Sequence, residues 1–495
     1  MATLKIHRGH QCSAVDFAPP QPLSAVLMMA GAALSRPCGG RGVCGKCAVS
    51  IHGGVSLPNA AETRAGVRLS CQAILTGDAE VTLPTLLPMT AIEGGQAADL
   101  SPIAPMPGRF GAAIDVGTTT LALLLYDLQT GRCLGSAAMM NPQTQVASDV
   151  IGRIDAAMHS DLSVLQQQVQ SAVMALLTAA YANAEISAGQ VESLVITGNT
   201  TMLYLLTGRD PQALSRAPFK ADCLFGHEVT FAGRTCYLPP CMHAFVGADT
   251  TCALLAASAC DHIETALLCD VGTNGELALW HQGRLYIAST AAGPSFEGAG
   301  ISCGSASIPG AIDRVEVLAN RLHCHTIGGK PATGLCGSGL LDAIAAMLET
   351  GALDETGCLE DAPFPLAEGV ALTQGDIRAV QLAKAATHAG VMCLLNAAGC
   401  TPEAVSTLYL AGGFGSHLNI RSAARIGMIP AELADQARGI GNAALDGAAM
   451  LLMNTALRER AANLAQNALH VRLDGNPAFS ELYVASMLFG DDESA

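Results

Sequence analysis

The chain has 495 residues, half of them hydrophobic and 14% charged, and 26 Lys and Arg against 42 Asp and Glu give it a net charge of −16. That acidity, with no basic patch along the chain, excludes a nucleic-acid binder, and the apolar content excludes extended disorder. The longest apolar stretch, Ala25 to Leu34, falls short of the roughly 20 residues that span a bilayer, and the first residues lack the apolar core of a signal peptide, so the expectation is a cytoplasmic protein with no membrane partner.

Residues 1–84 read as one α+β module: an alternating strand Thr3–His7, a helix around Pro22–Leu34, a Cys/Gly-rich stretch, and strands near Cys47–His52 and Ala79–Leu83. Eighteen cysteines are too dilute for a disulfide scaffold in an intracellular chain of this length, but four are spaced as metal ligands. Cys38, Cys44 and Cys47 follow C-x5-C-x2-C, and Cys71 comes later. Glycines between Pro37 and Cys47 let the backbone wrap a small object and aim amide N–H groups at it. A structural zinc site is the alternative, disfavoured because such sites usually pair two C-x2-C knuckles and one is present. The other cysteines lie singly in apolar runs and read as small buried hydrophobes, with no cluster after Cys400.

Residues 85–109, rich in Pro, Thr, Ala and Gly, read as a linker. The body beyond is α/β, with apolar strands ending in Gly-rich turns and helical stretches such as Leu162–Ala182 and Ile377–Ala398. It is internally duplicated. Asp115-Val-Gly117-Thr118-Thr119-Thr120 leads into the strand Leu121–Tyr126, and Asp270-Val-Gly272-Thr273-Asn274-Gly275-Glu276 leads into Leu277–Trp280. Each half also has a later apolar strand ending on glycine, at Gly198 and at Gly412-Gly413-Phe-Gly415. Two lobes around a cleft follow, 110–265 and 266–490. A hairpin glycine lets N–H groups approach phosphate oxygens, Thr hydroxyls add donors, and the Asp can hold Mg²⁺ through water.

The four-cysteine pattern resembles the plant-type and adrenodoxin-like [2Fe-2S] ferredoxins. The paired D-V-G-T turns and the late glycines resemble the phosphate 1, phosphate 2 and adenosine motifs of the actin, sugar kinase and Hsp70 superfamily (ASKHA). That resemblance implies a two-lobed α/β ASKHA body behind a ferredoxin-like α+β domain, with ATP and Mg²⁺ in the cleft. It assigns Asp115, Gly117, Thr118 and Thr119 to the first phosphate loop, Asp270, Gly272, Thr273 and Asn274 to the second, and Gly412, Gly413 and Gly415 to the adenosine site. Asp115 and Asp270 become the candidate catalytic carboxylates, and Cys38, Cys44, Cys47 and Cys71 the cluster ligands. The small-residue helix starts at Gly247 and Gly441 look like the connecting helices of that fold, and Asp249 reads as a helix cap or a nucleotide contact. The stretches 292–300 and 334–339 read as cleft loops.

With Asn141-Pro-Gln, Thr197-Gly-Asn-Thr-Thr-Met202 and Cys336-Gly-Ser-Gly added, nearly the whole chain resembles the reductive activators of corrinoid-dependent enzymes (RACE proteins). This implies an ATP-dependent enzyme that takes an electron from a reductase or ferredoxin onto a [2Fe-2S] cluster. It then passes the electron to Co(II) in the corrinoid protein of a methyltransferase system, restoring Co(I). A homodimer is compatible with it. Larger members carry a further domain between cluster and clamp, where this chain has only the linker, and another branch uses C-terminal [4Fe-4S] clusters, for which late cysteines are lacking. Two other readings compete. An activator of a radical dehydratase would use Cys303 and Cys336 for a bridging cluster, and a small-molecule kinase would have no use for four cluster-spaced cysteines.

Overall fold

The computed structural model describes residues 1–490 apart from 9, 10, 31, 33, 35–41, 43–46, 66, 84–97, 148, 160, 161, 273, 299, 361 and 413–417. The chain divides into two units, Met1–Met89 with Pro142–Ala156, and Thr90–Asn141 with Ala157–Ala495.

In the first unit Ala2–Arg8 pairs antiparallel with Gln11–Phe17 and parallel with Ile74–Leu83, whose other edge takes Ala48–Val55. The helix Leu23–Met29 lays Leu23, Val26 and Leu27 on a core with Leu4, Ile6, Phe17, Leu75 and Val81, the i, i+3, i+4 stripe that a helix buries on a sheet. It stops short of the expected Leu34. The strand Gln11–Phe17 was not anticipated from sequence, because most of its side chains face solvent and show no apolar alternation. Residues 142–156, expected in the first lobe, group with this unit. There Arg153 is fully buried, donating from Nε to Ala147 O at 3.1 Å and from a guanidinium nitrogen to Gln143 Oε1 at 3.3 Å.

The second unit is built on two six-stranded sheets that share the order of four strands, a meander of three and one parallel strand beside its first. In one, the hairpin Phe110–Val116 and Thr120–Asp127 continues into Cys133–Met140, while Val191–Gly198 lies parallel on the other side of Phe110–Val116. In the other, Thr265–Val271 and Gly275–His281 continue into Arg284–Thr290, with Val405–Ala411 parallel beside Thr265–Val271. The duplication seen in the motifs therefore extends to the sheets. The helices Ala248–Ala256 and Ala443–Met453 pack on each other in a core that draws Ala113 and Leu124 from one sheet and Leu268 and Ala278 from the other. Glycine is required at their crossing, since a Cβ at Gly447 would stand 2.0 Å from Cys252 O.

Two boundaries differ from expectation. Ala443–Met453 follows the second sheet in sequence yet packs against Phe110–Val116 and Val191–Gly198 of the first. The linker expected over 85–109 is bound into the unit from residue 98 on: Leu100 N–H donates to Gly131 O at 2.8 Å, Ile103 and Ala104 N–H to Met453 O at 3.2 Å, and Met106 N–H to Leu452 O at 2.9 Å. These bonds satisfy carbonyls that the end of a helix leaves unpaired, and composition does not announce that role. No helix among the described residues is long and apolar enough to cross a membrane.

Candidate functional site

The two D-V-G-T hairpins meet through Glu297, which accepts from Thr119 Oγ1 of the first at 2.8 Å and lies 3.4 Å from the Cβ position of Gly272 in the second. In the first, the partners Val116 and Leu121 enclose four residues, with Gly117 N–H donating to Thr120 O at 3.0 Å. In the second, Val271 and Gly275 enclose three, with Gly272 N–H donating to Asn274 O at 3.0 Å. A Cβ at Gly117 would stand 2.6 Å from Thr120 O, so only glycine makes that turn. Thr273 lies outside the described residues.

Three asparagines brace the first hairpin. Asn141, fully buried, donates Nδ2 to Gly117 O at 2.8 Å and its backbone N–H to Thr119 O at 2.8 Å. Asn199 caps the helix Thr200–Thr207 by accepting from Met202 N–H at 2.9 Å, and its Nδ2 donates to Thr118 Oγ1 at 2.9 Å. Asn442 does the same for Ala443–Met453, accepting from Leu445 N–H at 3.0 Å and donating to Asp115 Oδ2 at 2.9 Å. An asparagine before an apolar run is a readable cap signal. The second use of its amide depends on a residue far away in sequence and is not readable.

The second hairpin is surrounded by acids. Glu276 lies directly across the strand pair from Asp270, which puts the two side chains on one face. Asp249 stands in the first turn of Ala248–Ala256, whose N-cap is Gly247, so the cap reading of Asp249 gives way; its Oδ1 accepts from Thr250 N–H at 2.8 Å. Burial pushes Asp270 up to about 7, reinforced by the charges of Asp249, Asp115 and Glu297. Burial also takes Asp115 up to about 7, against the opposing bond from Asn442 and with the Asp249 charge adding. Asp249 is raised by burial, and Glu276 by burial and then by Asp249 and Asp270. A buried group of like charges holds protons until a cation or a donor-rich ligand compensates it. Among the described residues no set of three or more His, Cys, Asp or Glu is arranged to hold a metal ion directly.

The late strand Val405–Ala411 brings Gly412 over this floor. At φ +87°, with its N–H on Gly441 O at 3.0 Å, a Cβ there would stand 2.6 Å from Asp270 Oδ1. Gly413 and Gly415 lie outside the described residues. The lobes also touch through Glu297, in the cleft loop 292–300: its Oε2 accepts from Thr119 Oγ1 at 2.8 Å. Sequence reasoning assigned no role to Glu297, Glu276 or the three asparagines.

In the first unit, Cys38 and Cys44 lie outside the described residues. Pairing of Ala48 with Leu69 and a bond from Ser70 N–H to Cys47 O at 2.9 Å bring buried Cys47 and half-buried Cys71 to the same end of the sheet. Glu62 anchors that end, accepting from Leu69 N–H at 2.9 Å, Arg68 Nε at 2.9 Å and Asn59 N–H at 3.1 Å. Burial pushes its carboxyl up, but these bonds outweigh it and hold the group below the usual carboxylate value. Gly42, between Cys38 and Cys44 in sequence, has φ +73°, a conformation that glycine adopts without strain. Of the four cysteines, Cys47 and Cys71 are the two among the described residues. Cys336 instead stands at the N-cap position of the helix Gly337–Thr350, with Sγ 3.3 Å from Ser338 Oγ.

Residues 264–495 match the family described as the C-terminal domain of RACo, the ASKHA domain, and residues 110–261 match the RACo middle region. The chain is 31% identical over 423 residues to the corrinoid activation enzyme RamQ of Eubacterium limosum, covering 77% of this chain and 71% of that protein. It is 25% identical over 422 residues to the [Co(II) methylated amine-specific corrinoid protein] reductase of Methanosarcina barkeri, covering 77% of each. A solved structure named as a reductive activator for corrinoid,iron-sulfur protein superposes with a TM-score of 0.71 at 24% identity, over 99% of this chain and 98% of that one, a likeness of fold.

Proposed function

The chain belongs to the family of reductive activators of corrinoid proteins, and from that premise we propose that it returns an oxidised corrinoid protein of a methyltransferase system from Co(II) to Co(I), using ATP and an electron carried on a [2Fe-2S] cluster. A reductase or a ferredoxin supplies the electron. The observation that carries the ATP half is the meeting of the two D-V-G-T hairpins across one cleft, where Thr119 of the first bonds Glu297 beside the second and Asn442 reaches back to Asp115. Backbone N–H groups and the hydroxyls of Thr118 and Thr119 meet phosphate oxygens there. Asp115 and Asp270 would hold Mg²⁺, which would neutralise the charge of the phosphates.

Cys38, Cys44, Cys47 and Cys71 would hold the cluster, which supplies a one-electron couple near −400 mV for plant-type ligation. Each shortfall of about 59 mV against the cobalt couple costs a factor of ten in equilibrium for one electron. Closing that gap is the reason for an ATP clamp: a cleft that closes on nucleotide binds one state of the partner better than the other and shifts its equilibrium by that difference.

The test begins with anaerobically purified, dithionite-reduced protein, its EPR and visible spectra, and iron and zinc quantification. A [2Fe-2S] signal lost in Cys71→Ser, followed by ATP-dependent Co(I) formation in a corrinoid protein, is the expected result. Zinc without iron, or Co(I) formation indifferent to ATP, overturns the respective half.

A further inference from the structure

Glu297 is hydrogen-bonded to the first phosphate turn and lies against the second. Asp115 and Asp270 sit at the ends of their strands, beneath the turns. One oxygen of Asp115 is occupied by the Asn442 amide, and Oδ1 of Asp270 lies under Gly412, 2.6 Å from where a Cβ would be. Glu297 reaches between the turns: Oε2 takes the Thr119 hydroxyl at 2.8 Å, and Oε1 is 3.4 Å from the Cβ position of Gly272. Its backbone is held firmly. Phe296 beside it is 1% exposed, and Gly293 at φ +82° and Gly298 at φ +74° bracket the short turn Pro294–Glu297. A Cβ at Gly298 would stand 2.6 Å from Ser305 O, so the turn has little room to shift.

Resting on the ATP reading above, we propose that Glu297 is the catalytic carboxylate that orients the water attacking the terminal phosphate of ATP. The terminal phosphate belongs where the two phosphate turns face each other, and there it takes over the Thr119 hydroxyl that Glu297 now holds. The released carboxylate then accepts a proton from a water molecule as the water oxygen bonds to phosphorus. The bond from phosphorus to the bridging oxygen breaks, giving ADP and inorganic phosphate, and the proton leaves with the products. A carboxylate in this role needs hydrogen-bond reach of the water and a fixed backbone, and the buried Phe296 beside it with the Gly298 N–H bond to Ser295 O at 3.0 Å provide the latter.

Single-turnover hydrolysis of labelled ATP by the full chain in excess, together with binding of a β,γ-imido analogue, tests this. In Glu297→Gln hydrolysis falls by about 10²–10⁴-fold, while analogue affinity stays within about threefold of wild type or tightens, and Glu297→Asp recovers part of the rate. A Gln variant that hydrolyses ATP at the wild-type rate overturns the proposal. So does a parallel loss of analogue affinity and rate in both variants, which marks Glu297 as a strut. Wild-type protein that neither binds the analogue nor hydrolyses ATP removes the ATP reading itself and the proposal with it; binding by wild type with unchanged hydrolysis in Gln removes the proposal alone.

Discussion

The two D-V-G-T hairpins share a backbone plan and differ in what surrounds them. The first is held by neutral amides, from Asn141, Asn199 and Asn442, each placed by an element that has its own reason to be there. The second is one residue tighter and faces Glu276, Asp249 and Glu297, so its charge is left to be balanced from outside. A duplicated motif has thus split its labour. One copy is braced by three amides, and the other is a cluster of buried acids whose charge, on the proposed reading, a nucleotide-bound cation would neutralise.

If that division holds, the largest effect comes from the second hairpin. Asp270→Ala should cut ATP-dependent Co(I) formation by about 10²–10³-fold, with the visible spectrum of the cysteine unit unchanged; unimpaired reduction would dissolve the distinction. Gly412→Ala puts a methyl group against Asp270 Oδ1 at a positive φ, and it should cost about 1–3 kcal/mol of nucleotide affinity, read by calorimetric titration. The pH dependence sharpens the contrast further. Asp115 and Asp270 titrate near 7 in the fold against an ordinary carboxyl value of 3.8. Their contribution to stability is therefore whole below about pH 3.8 and is lost as pH rises through about 7. The metal-free protein should melt progressively lower between pH 5 and 8 by about a few degrees, and Mg²⁺ with the nucleotide analogue should flatten the profile. The smallest effect belongs to the first hairpin. Asn199→Asp keeps the cap on Met202 but loses the donor to Thr118, so chemical denaturation should move by under about 1 kcal/mol while analogue binding weakens.

Much of the cleft was legible because its chemistry is local. A glycine that must turn, a threonine that must donate and an aspartate at a strand end are neighbours in sequence, and the two copies corroborate each other. Gly412 signals itself in the same way, as a glycine at the end of an apolar strand, and it stands close against Asp270. The bracing was not legible, since Asn442 meets Asp115 across 327 residues and Thr119 meets Glu297 across 178, distances over which no spacing rule operates. The same limit hid the attachment of residues 98–107, whose Pro-rich composition says linker while their N–H groups cap a helix that appears 350 residues later. In the first unit the strand Gln11–Phe17 was missed because it turns most of its side chains to solvent, leaving only backbone pairing to define it.

The helix Ala443–Met453 also constrains the order in which this protein can be made. The apolar faces of Ala248–Ala256 and Phe110–Val116 that it covers are synthesised some two hundred residues or more before it. Until Met453 has left the ribosome, those faces have no native lid, and at about 5–20 residues per second the wait lasts on the order of ten seconds or longer. A nascent chain cut short before Gly441 therefore carries a first lobe whose central seam is open, the kind of surface that chaperones hold and that neighbouring copies aggregate through.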